Sequence, residues 1–262
     1  MASIVSVPIL MYHQVTPASV ALTDRYTITP TRFAAQMRLL ALARYAPITI
    51  AELVGCWRER KAPPQRAVVI TFDDGFRDCF ELAVPILERY RFTAVFYLVA
   101  GLMGKTSQWM RAAGGAEYPL MDWSAARSLQ DAGMQCGAHS LSHPALADCS
   151  PDEARRELVE SRERLEDGLG REVTHFAYPY GSVSAQVRAL AADAGYLSAC
   201  ATERRLATSN DDLLRLPRVS IYGGESLIDF VCRLRTAENS RQLLRSRLPL
   251  GRLLRKARRR AS

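Results

Sequence analysis

Short apolar runs alternate with amphipathic stretches from Ile4 to Leu234, which is the pattern of strand and helix in turn. The strands are predicted at Ile4–Tyr12, Ala67–Phe72, Thr93–Ala100, Met134–Ala138, Val173–Tyr178, Leu197–Ala201 and Leu216–Tyr222. The helices are predicted after Thr29-Pro30, over about 77–90, and over Trp123–Ala132, Pro151–Leu169, Val183–Ala194 and Leu227–Leu234. This alternation indicates a parallel α/β architecture in one domain, rather than a sandwich or a bundle.

Charge is distributed unevenly along the 262 residues, whose net charge is +8. Residues 241–262 contain eight arginines, one lysine and no acidic residue, while the rest of the chain has 26 basic and 27 acidic residues. We therefore predict a near-neutral domain over residues 1–240 and a basic tail over 241–262, and no nucleic-acid-binding face. Leucines alternate with the arginines of this tail, so it is either a peripheral contact to an anionic membrane or a solvated segment.

The compartment is predicted from the apolar runs and the cysteines. No apolar run reaches 18 residues, and no basic residue precedes the short apolar stretch within Met1–Tyr12, so neither a spanning helix nor a secretion signal is predicted. The six cysteines are scattered singly and are interpreted as reduced thiols. We expect a cytoplasmic protein, in peripheral contact with the inner face of the membrane if the tail binds there.

Three groups of polar and aromatic residues follow predicted strands. They are Thr71-Phe72-Asp73-Asp74-Gly75, His139-Ser140-Leu141-Ser142-His143, and Phe176-Ala177-Tyr178-Pro179-Tyr180-Gly181. Taken singly they are compatible with a turn, a pair of surface histidines and a packed aromatic loop. Together, at the strand ends where barrels place their active sites, they indicate a catalytic centre.

The residue types in these groups are those of a metal site with an open position. His139 and His143 lie four residues apart, so on one helical turn both imidazoles would face one metal, with a carboxylate from another strand as third ligand. Two histidines and one carboxylate leave a coordination position open, which is typical of a catalytic metal. Of the adjacent pair Asp73 and Asp74, one carboxylate can bind the metal while the other acts as a general base.

These motifs resemble the polysaccharide deacetylases of carbohydrate esterase family 4, the NodB-type enzymes, over about residues 4–236. The resemblance implies a single-domain, distorted (β/α)7-type NodB barrel that hydrolyses N-acetyl groups to acetate and a free amine. It assigns Asp73 as the base, and Asp74, His139 and His143 as ligands of a divalent ion, most often Zn²⁺. The segment Ala177-Tyr178-Pro179-Tyr180 resembles the family's R-x-P-Y motif, which implies that the Tyr180 backbone N–H helps to hold the oxyanion.

The sequence departs from the family pattern at three places. Ala177 replaces the motif arginine that orients the base, and Arg218, at another strand end, is a candidate substitute. The D-x-x-D-W segment is missing, and so is the late histidine that serves as general acid. Leu10-Met11-Tyr12-His13 resembles the segment of poly-N-acetylglucosamine deacetylases whose histidine takes the acid role. His13 is thus the predicted acid, with a core or turn histidine as the alternative.

The predicted function is metal-dependent removal of N-acetyl groups from an amino-sugar-containing glycan or a glycan precursor. A lipid-linked or small amino sugar as substrate, and removal of a formyl group, are alternatives. A barrel that binds a glycan without turning it over is a further alternative, which loss of a metal ligand would have favoured. A serine hydrolase is disfavoured because no G-x-S-x-G elbow exists, and a nucleotide-binding loop because Val99 stands where the Walker motif needs glycine.

Overall fold

The computed structural model describes residues 5–17 and 25–247, without the side chains of residues 112 and 245–247. Ten strands are found there: β1 Ile9–Tyr12, β2 Gln14–Val15, β3 Thr27–Ile28, β4 Ala46–Pro47, β5 Ala67–Phe72, β6 Val95–Leu98, β7 Gln135–Ala138, β8 His175–Ala177, β9 Ser198–Cys200 and β10 Val219–Ser220. Seven of them form one parallel sheet in the order β10-β1-β5-β6-β7-β8-β9, and β4 pairs with the start of β5. The predicted single-domain α/β barrel is therefore confirmed.

The two edges of the sheet are joined by the segment that leads into β10. Leu216 donates its N–H to Ala199 of β9 at 2.8 Å and accepts from Ala201 at 2.8 Å, and β10 then pairs with β1. The chain thus crosses from one edge of the curled sheet to the other. Arg218, which lies in this crossing, is thereby brought close to the end of β5.

Helices surround the sheet on its outer face and at its lower end. Their bounds are α1 Pro30–Leu42, α2 Ile50–Arg58, α3 Val84–Arg89, α4 Gln108–Ala112, α5 Trp123–Asp131, α6 Pro151–Leu169, α7 Ala185–Asp193, α8 Leu227–Thr236 and α9 Ser240–Arg247. The helix expected over 77–90 is found over residues 77–89, with a π-helical turn at Cys79–Ala83 ahead of α3. The sequence analysis did not predict α2, although Thr49 and Glu52 form a capping box at its start.

Apolar side chains fill both faces of the sheet, as expected for buried parallel strands. Ile9, Val69 and Val95 belong to an inner cluster with Trp57 of α2, which covers the lower end of the barrel. The other face packs against the outer helices in a second, larger cluster. Because side chains alternate along a strand, Asp73 follows Val69 on the inner face, at the upper end of the barrel.

The C-terminal part of the described chain is helical across residue 241. In α9, the N–H of Ser240 donates to Asp229 of α8 at 2.9 Å, so the two helices are joined. Residues 248–262, which carry most of the predicted basic tail, lie outside the described residues. Among the helices of the described ranges, none is long and apolar enough to span a bilayer.

Candidate active site

Asp74, His139 and His143 converge at the upper edge of the barrel. One oxygen of Asp74, Oδ1, lies 3.3 Å from Nε2 of His139 and 3.1 Å from Nε2 of His143, and all three side chains are buried. Two ligand atoms of a tetrahedral zinc site stand about 3.3 Å apart when each bond is about 2.0–2.1 Å. The three donors therefore fit a divalent ion, and together they form a candidate metal centre.

The two histidines do not lie on a helical turn, so that part of the sequence prediction is wrong. Residues 139–143 form an irregular turn in which Ser140 and His143 adopt left-handed backbone angles, with φ of 64° and 71°. The Ser140 hydroxyl accepts the His143 N–H at 2.9 Å and closes this turn. Both imidazoles still reach Asp74, because the chain reverses its direction within this turn. The reversal, rather than the spacing of a helix, brings the two rings to the same carboxylate.

The pKa shifts of Asp74 and His143 suit metal binding. Burial acts to raise the pKa of Asp74, but hydrogen bonds from His139 and His143 hold that pKa well below its usual range. Burial lowers the pKa of His143, which favours the neutral imidazole that a metal requires. The carboxylate is thus charged while the His143 imidazole is predominantly neutral at physiological pH.

The two histidine rings are held in different ways. Nδ1 of His139 lies 2.7 Å from the Ala177 carbonyl oxygen, the usual type of contact behind a metal-binding histidine. Nδ1 of His143 is buried and has no hydrogen-bond partner among the described residues. Instead, the His143 ring stacks on Trp109 at 4.3 Å and meets the Tyr180 ring edge-on at 4.7 Å. Trp109 was not foreseen in the sequence, because it lies on α4, a short helix without a motif.

Asp73 forms a bidentate ion pair with Arg218, the residue considered as a substitute for the missing motif arginine. The two N–O distances are 2.6 and 2.7 Å, and the Arg218 side chain is 0% exposed. Arg218 also donates to the Ala201 carbonyl at 3.0 Å. Burial acts to raise the pKa of Asp73, but Arg218, His139 and His13 outweigh it and lower this pKa. Arg218 therefore contacts the aspartate and cannot meet a substrate at the surface.

His13 follows β1 and faces the same cavity as the aspartate pair. Its ring packs against Tyr26 at 4.6 Å, and its buried Nδ1 has no hydrogen-bond partner among the described residues. A positive charge on His13 would lower the pKa of both Asp73 and Asp74. The structure thus places His13 in the same cavity as Asp74, His139 and His143.

Tyr180 follows β8 in a tight turn, with φ of 59° and a side chain that is 62% exposed at the mouth of the cavity. The next residue, Gly181, has φ of 69° and lies so close to Thr202 that a side chain would overlap it. His175 of β8 forms a hydrogen bond with Ser198 at 2.8 Å and lies outside the cavity lining. Burial lowers the pKa of His175 to about 4.

A cavity of about 440 Å³ joins these residues. Its size is that of a small-ligand site. The lining residues are Met11, His13, Gln14, Tyr26, Thr27, Asp73, Asp74, Phe76, Trp109, Met110, Ala113, Gly115, His139, His143, Tyr178, Tyr180 and Thr202. Fold and site together define a barrel enzyme with a candidate metal centre at the carboxyl ends of its strands.

Comparison with known proteins identifies the family. The family described as "Polysaccharide deacetylase" matches residues 60–199, so the chain belongs to the polysaccharide deacetylase family. YxkH of Bacillus subtilis, which is named for the same family, is 25% identical over 219 residues, or 84% of this chain and 72% of that protein. The expected class of enzyme, a carbohydrate N-deacetylase of carbohydrate esterase family 4, is confirmed.

Two further proteins extend the likeness. The poly-β-1,6-N-acetyl-D-glucosamine N-deacetylase of Staphylococcus epidermidis is 21% identical over 206 residues, 75% of this chain and 68% of its own. The structure of the Streptococcus pyogenes deacetylase PplD in complex with acetate superposes with a TM-score of 0.78 at 25% identity. That match covers 89% of this chain and 100% of PplD. The resemblance to poly-N-acetylglucosamine deacetylases is thereby confirmed, and the curled barrel is that of the family.

Proposed function

We propose that the chain is a metal-dependent hydrolase that removes N-acetyl groups from an amino-sugar-containing glycan or glycan precursor. The observation that carries this proposal is the buried pair of aspartates: Asp74 lies against His139 and His143, while Asp73 is turned away and held by Arg218. One carboxylate is thus committed to a metal centre and its neighbour is left as a base.

The divalent ion, most often Zn²⁺ in sites of this type, supplies a Lewis acid for the amide oxygen and lowers the pKa of water when it is bound. Asp74, His139 and His143 would hold it. Asp73 takes a proton from the attacking water, whose oxygen bonds to the carbonyl carbon. Arg218 fixes the orientation of the Asp73 carboxylate through two parallel hydrogen bonds and keeps it ionised.

Breaking the C–N bond requires a proton for the departing nitrogen. His13 delivers it, because it lines the same cavity as Asp73 and lies outside the metal centre. The backbone N–H of Tyr180, at the rim next to His143, donates to the oxyanion that forms on the amide. The products are acetate and the free amine of the sugar. Asp73 then gives the proton of water to the solvent and His13 takes one up, so both side chains regain their starting states.

An N-acetylated glucosamine polymer or oligomer is the proposed substrate class, supported by the relative named for poly-β-1,6-N-acetyl-D-glucosamine. A panel of substrates tests this proposal. It contains free, oligomeric and lipid-linked N-acetylated amino sugars, each with an N-formyl counterpart. Each is incubated with the protein, and the products are identified by mass spectrometry. We expect loss of acetyl groups from at least one N-acetylated member. Loss of formyl groups alone would replace the deacetylase with a deformylase, and binding without any product would indicate a glycan-binding barrel.

The apolar and basic surface at the C-terminal end supports a second proposal, that the protein binds peripherally to the anionic inner face of the cell membrane. Ile228 of α8 and Leu244 of α9 are 69% and 66% exposed, and Arg241 is exposed beside Leu244. The leucine- and arginine-rich residues 248–262 follow directly. The six free cysteines are in keeping with a reducing, cytoplasmic compartment.

A truncation after Arg247 tests the membrane proposal, since it leaves α9 and its contacts with α8 in place. The full chain is expected to sediment with vesicles of phosphatidylcholine and phosphatidylglycerol, and the truncated chain to lose most of this binding. Leu42→Ser, which changes an exposed leucine on α1, is the control and should bind as the full chain does. Equal sedimentation of full and truncated chains would contradict the proposal.

A further inference from the structure

Glu157 is a buried carboxylate outside the metal centre, with all of its hydrogen bonds to one turn. It lies on α6, is 4% exposed, and forms no ion pair with any of the cationic side chains that the structure describes. Its Oε2 accepts the backbone N–H groups of Leu141 and Ser142 at 2.8 and 2.9 Å. Its Oε1 accepts the Ser142 hydroxyl at 2.5 Å.

The turn bound by Glu157 is the one that joins the two histidines of the candidate metal centre. It contains two non-glycine residues with positive φ, an arrangement that persists only when the surroundings impose it. Two successive N–H groups that point the same way form a concave anion site, and the Glu157 carboxylate occupies it. Charge-assisted hydrogen bonds of this kind are stronger than those between neutral groups.

The carbonyl side of the same turn is fixed from the opposite direction. The N–H groups of Ala100 and Gly101, which follow β6, donate to the carbonyls of Ser140 and Leu141 at 3.1 and 2.8 Å. A side chain at Gly101 would overlap the Leu141 carbonyl, so the two segments are in the closest contact that the backbone allows. The turn is therefore held from two sides. The segment after β6 donates hydrogen bonds to its carbonyl groups, and Glu157 accepts hydrogen bonds from its N–H groups.

We propose that Glu157 is a positioning residue that sets the separation of the two histidine ligands and thereby the affinity for the metal. This inference rests on the metal site of the proposed function. Without the carboxylate, the N–H groups of Leu141 and Ser142 lose their buried acceptor, and the turn relaxes from its left-handed geometry. His143 then moves relative to His139, because Ser140 and His143 are the two residues whose backbone angles reverse the chain.

Zn²⁺ titration in competition with a chromophoric chelator measures this effect. Glu157→Met removes both acceptor oxygens at similar length and is expected to weaken Zn²⁺ binding by about 10- to 100-fold, the usual cost of losing a group behind a metal ligand. Glu157→Gln keeps one acceptor oxygen and should lose less. Glu163→Met, at an exposed position of the same helix, is the matched control and should bind Zn²⁺ as the unmodified chain does.

The melting temperature of each metal-free variant separates positioning from a general loss of stability. Zn²⁺ affinity unchanged in both Glu157 variants, or in the Gln variant alone if the Met variant does not fold, would overturn the inference. So would a lower melting temperature of the metal-free protein with undiminished Zn²⁺ affinity. An unmodified chain that binds no Zn²⁺ would contradict the proposed function itself, which keeps the two failures distinct.

Discussion

Asp73→Asn is expected to lower kcat by about 10²- to 10⁴-fold while the protein keeps its divalent ion. The asparagine has the size of the aspartate and its oxygen still accepts from Arg218, but it cannot take a proton from water. The metal ligands Asp74, His139 and His143 are untouched by this change. Rates of acetate release from the N-acetylated substrate, together with metal content by mass spectrometry, check both parts of the expectation.

Asp74→Asn is the matched variant, because it makes the same chemical change one residue along the chain. It removes the charge from the oxygen that lies near both imidazoles, so the ion itself should be lost. Metal loss to the same extent in both variants would mean that the two aspartates do not divide the roles as proposed. Asp73→Asn leaves Arg218 buried without its counter-charge, which can destabilise the fold. Circular dichroism of both variants therefore checks that each is folded.

His13→Ala is expected to reduce kcat by a similar factor, with a much smaller change in KM. An amide nitrogen departs only when it is protonated, so the loss of the acid acts on the transition state rather than on substrate binding. Metal content should remain that of the unmodified chain, as His13 is not among the candidate ligands.

His175→Ala is the control for His13. It removes a buried histidine that bonds to Ser198 and does not line the cavity, so kcat per folded molecule should be unchanged. If His13→Ala works at close to the full rate on an amide substrate, the acid role returns to Asp73 or to another residue. Since Asp73 has taken the proton of water, it is the group that could return one to the nitrogen.

The elements that the sequence predicted best are those whose signals are local. Ala67–Phe72 is apolar except for Thr71, and all six residues are buried. Pro151–Leu169 begins at a serine-proline cap and ends at Gly170. The turn at 139–143 was misjudged as helical, because spacing alone does not reveal left-handed backbone angles. Strand β10 proved shorter than Leu216–Tyr222, because the residues before it bond to β9 instead.

In the candidate site, too, residues with local sequence signals were predicted and residues placed by the fold were not. Asp73, Asp74, His139 and His143 were found because each pair of residues is close in sequence at a strand end. Arg218 was found only as a candidate, since its partner lies 145 residues away. Glu157 and Trp109 were missed because their contacts exist only in the folded chain. A charged residue on the apolar stripe of α6, beside Leu158 and Ser161, was the one available signal for Glu157.

The dependence of acetate release on the divalent ion tests the central claim most directly. The purified protein is stripped with a chelator, reloaded with increasing Zn²⁺ and assayed on the glycan that loses acetyl groups. The rate should fall to background on stripping and return in full at about one ion per chain, whereas reloaded His139→Ala and His143→Ala should stay inactive. A stripped protein that releases acetate at the full rate would contradict the account.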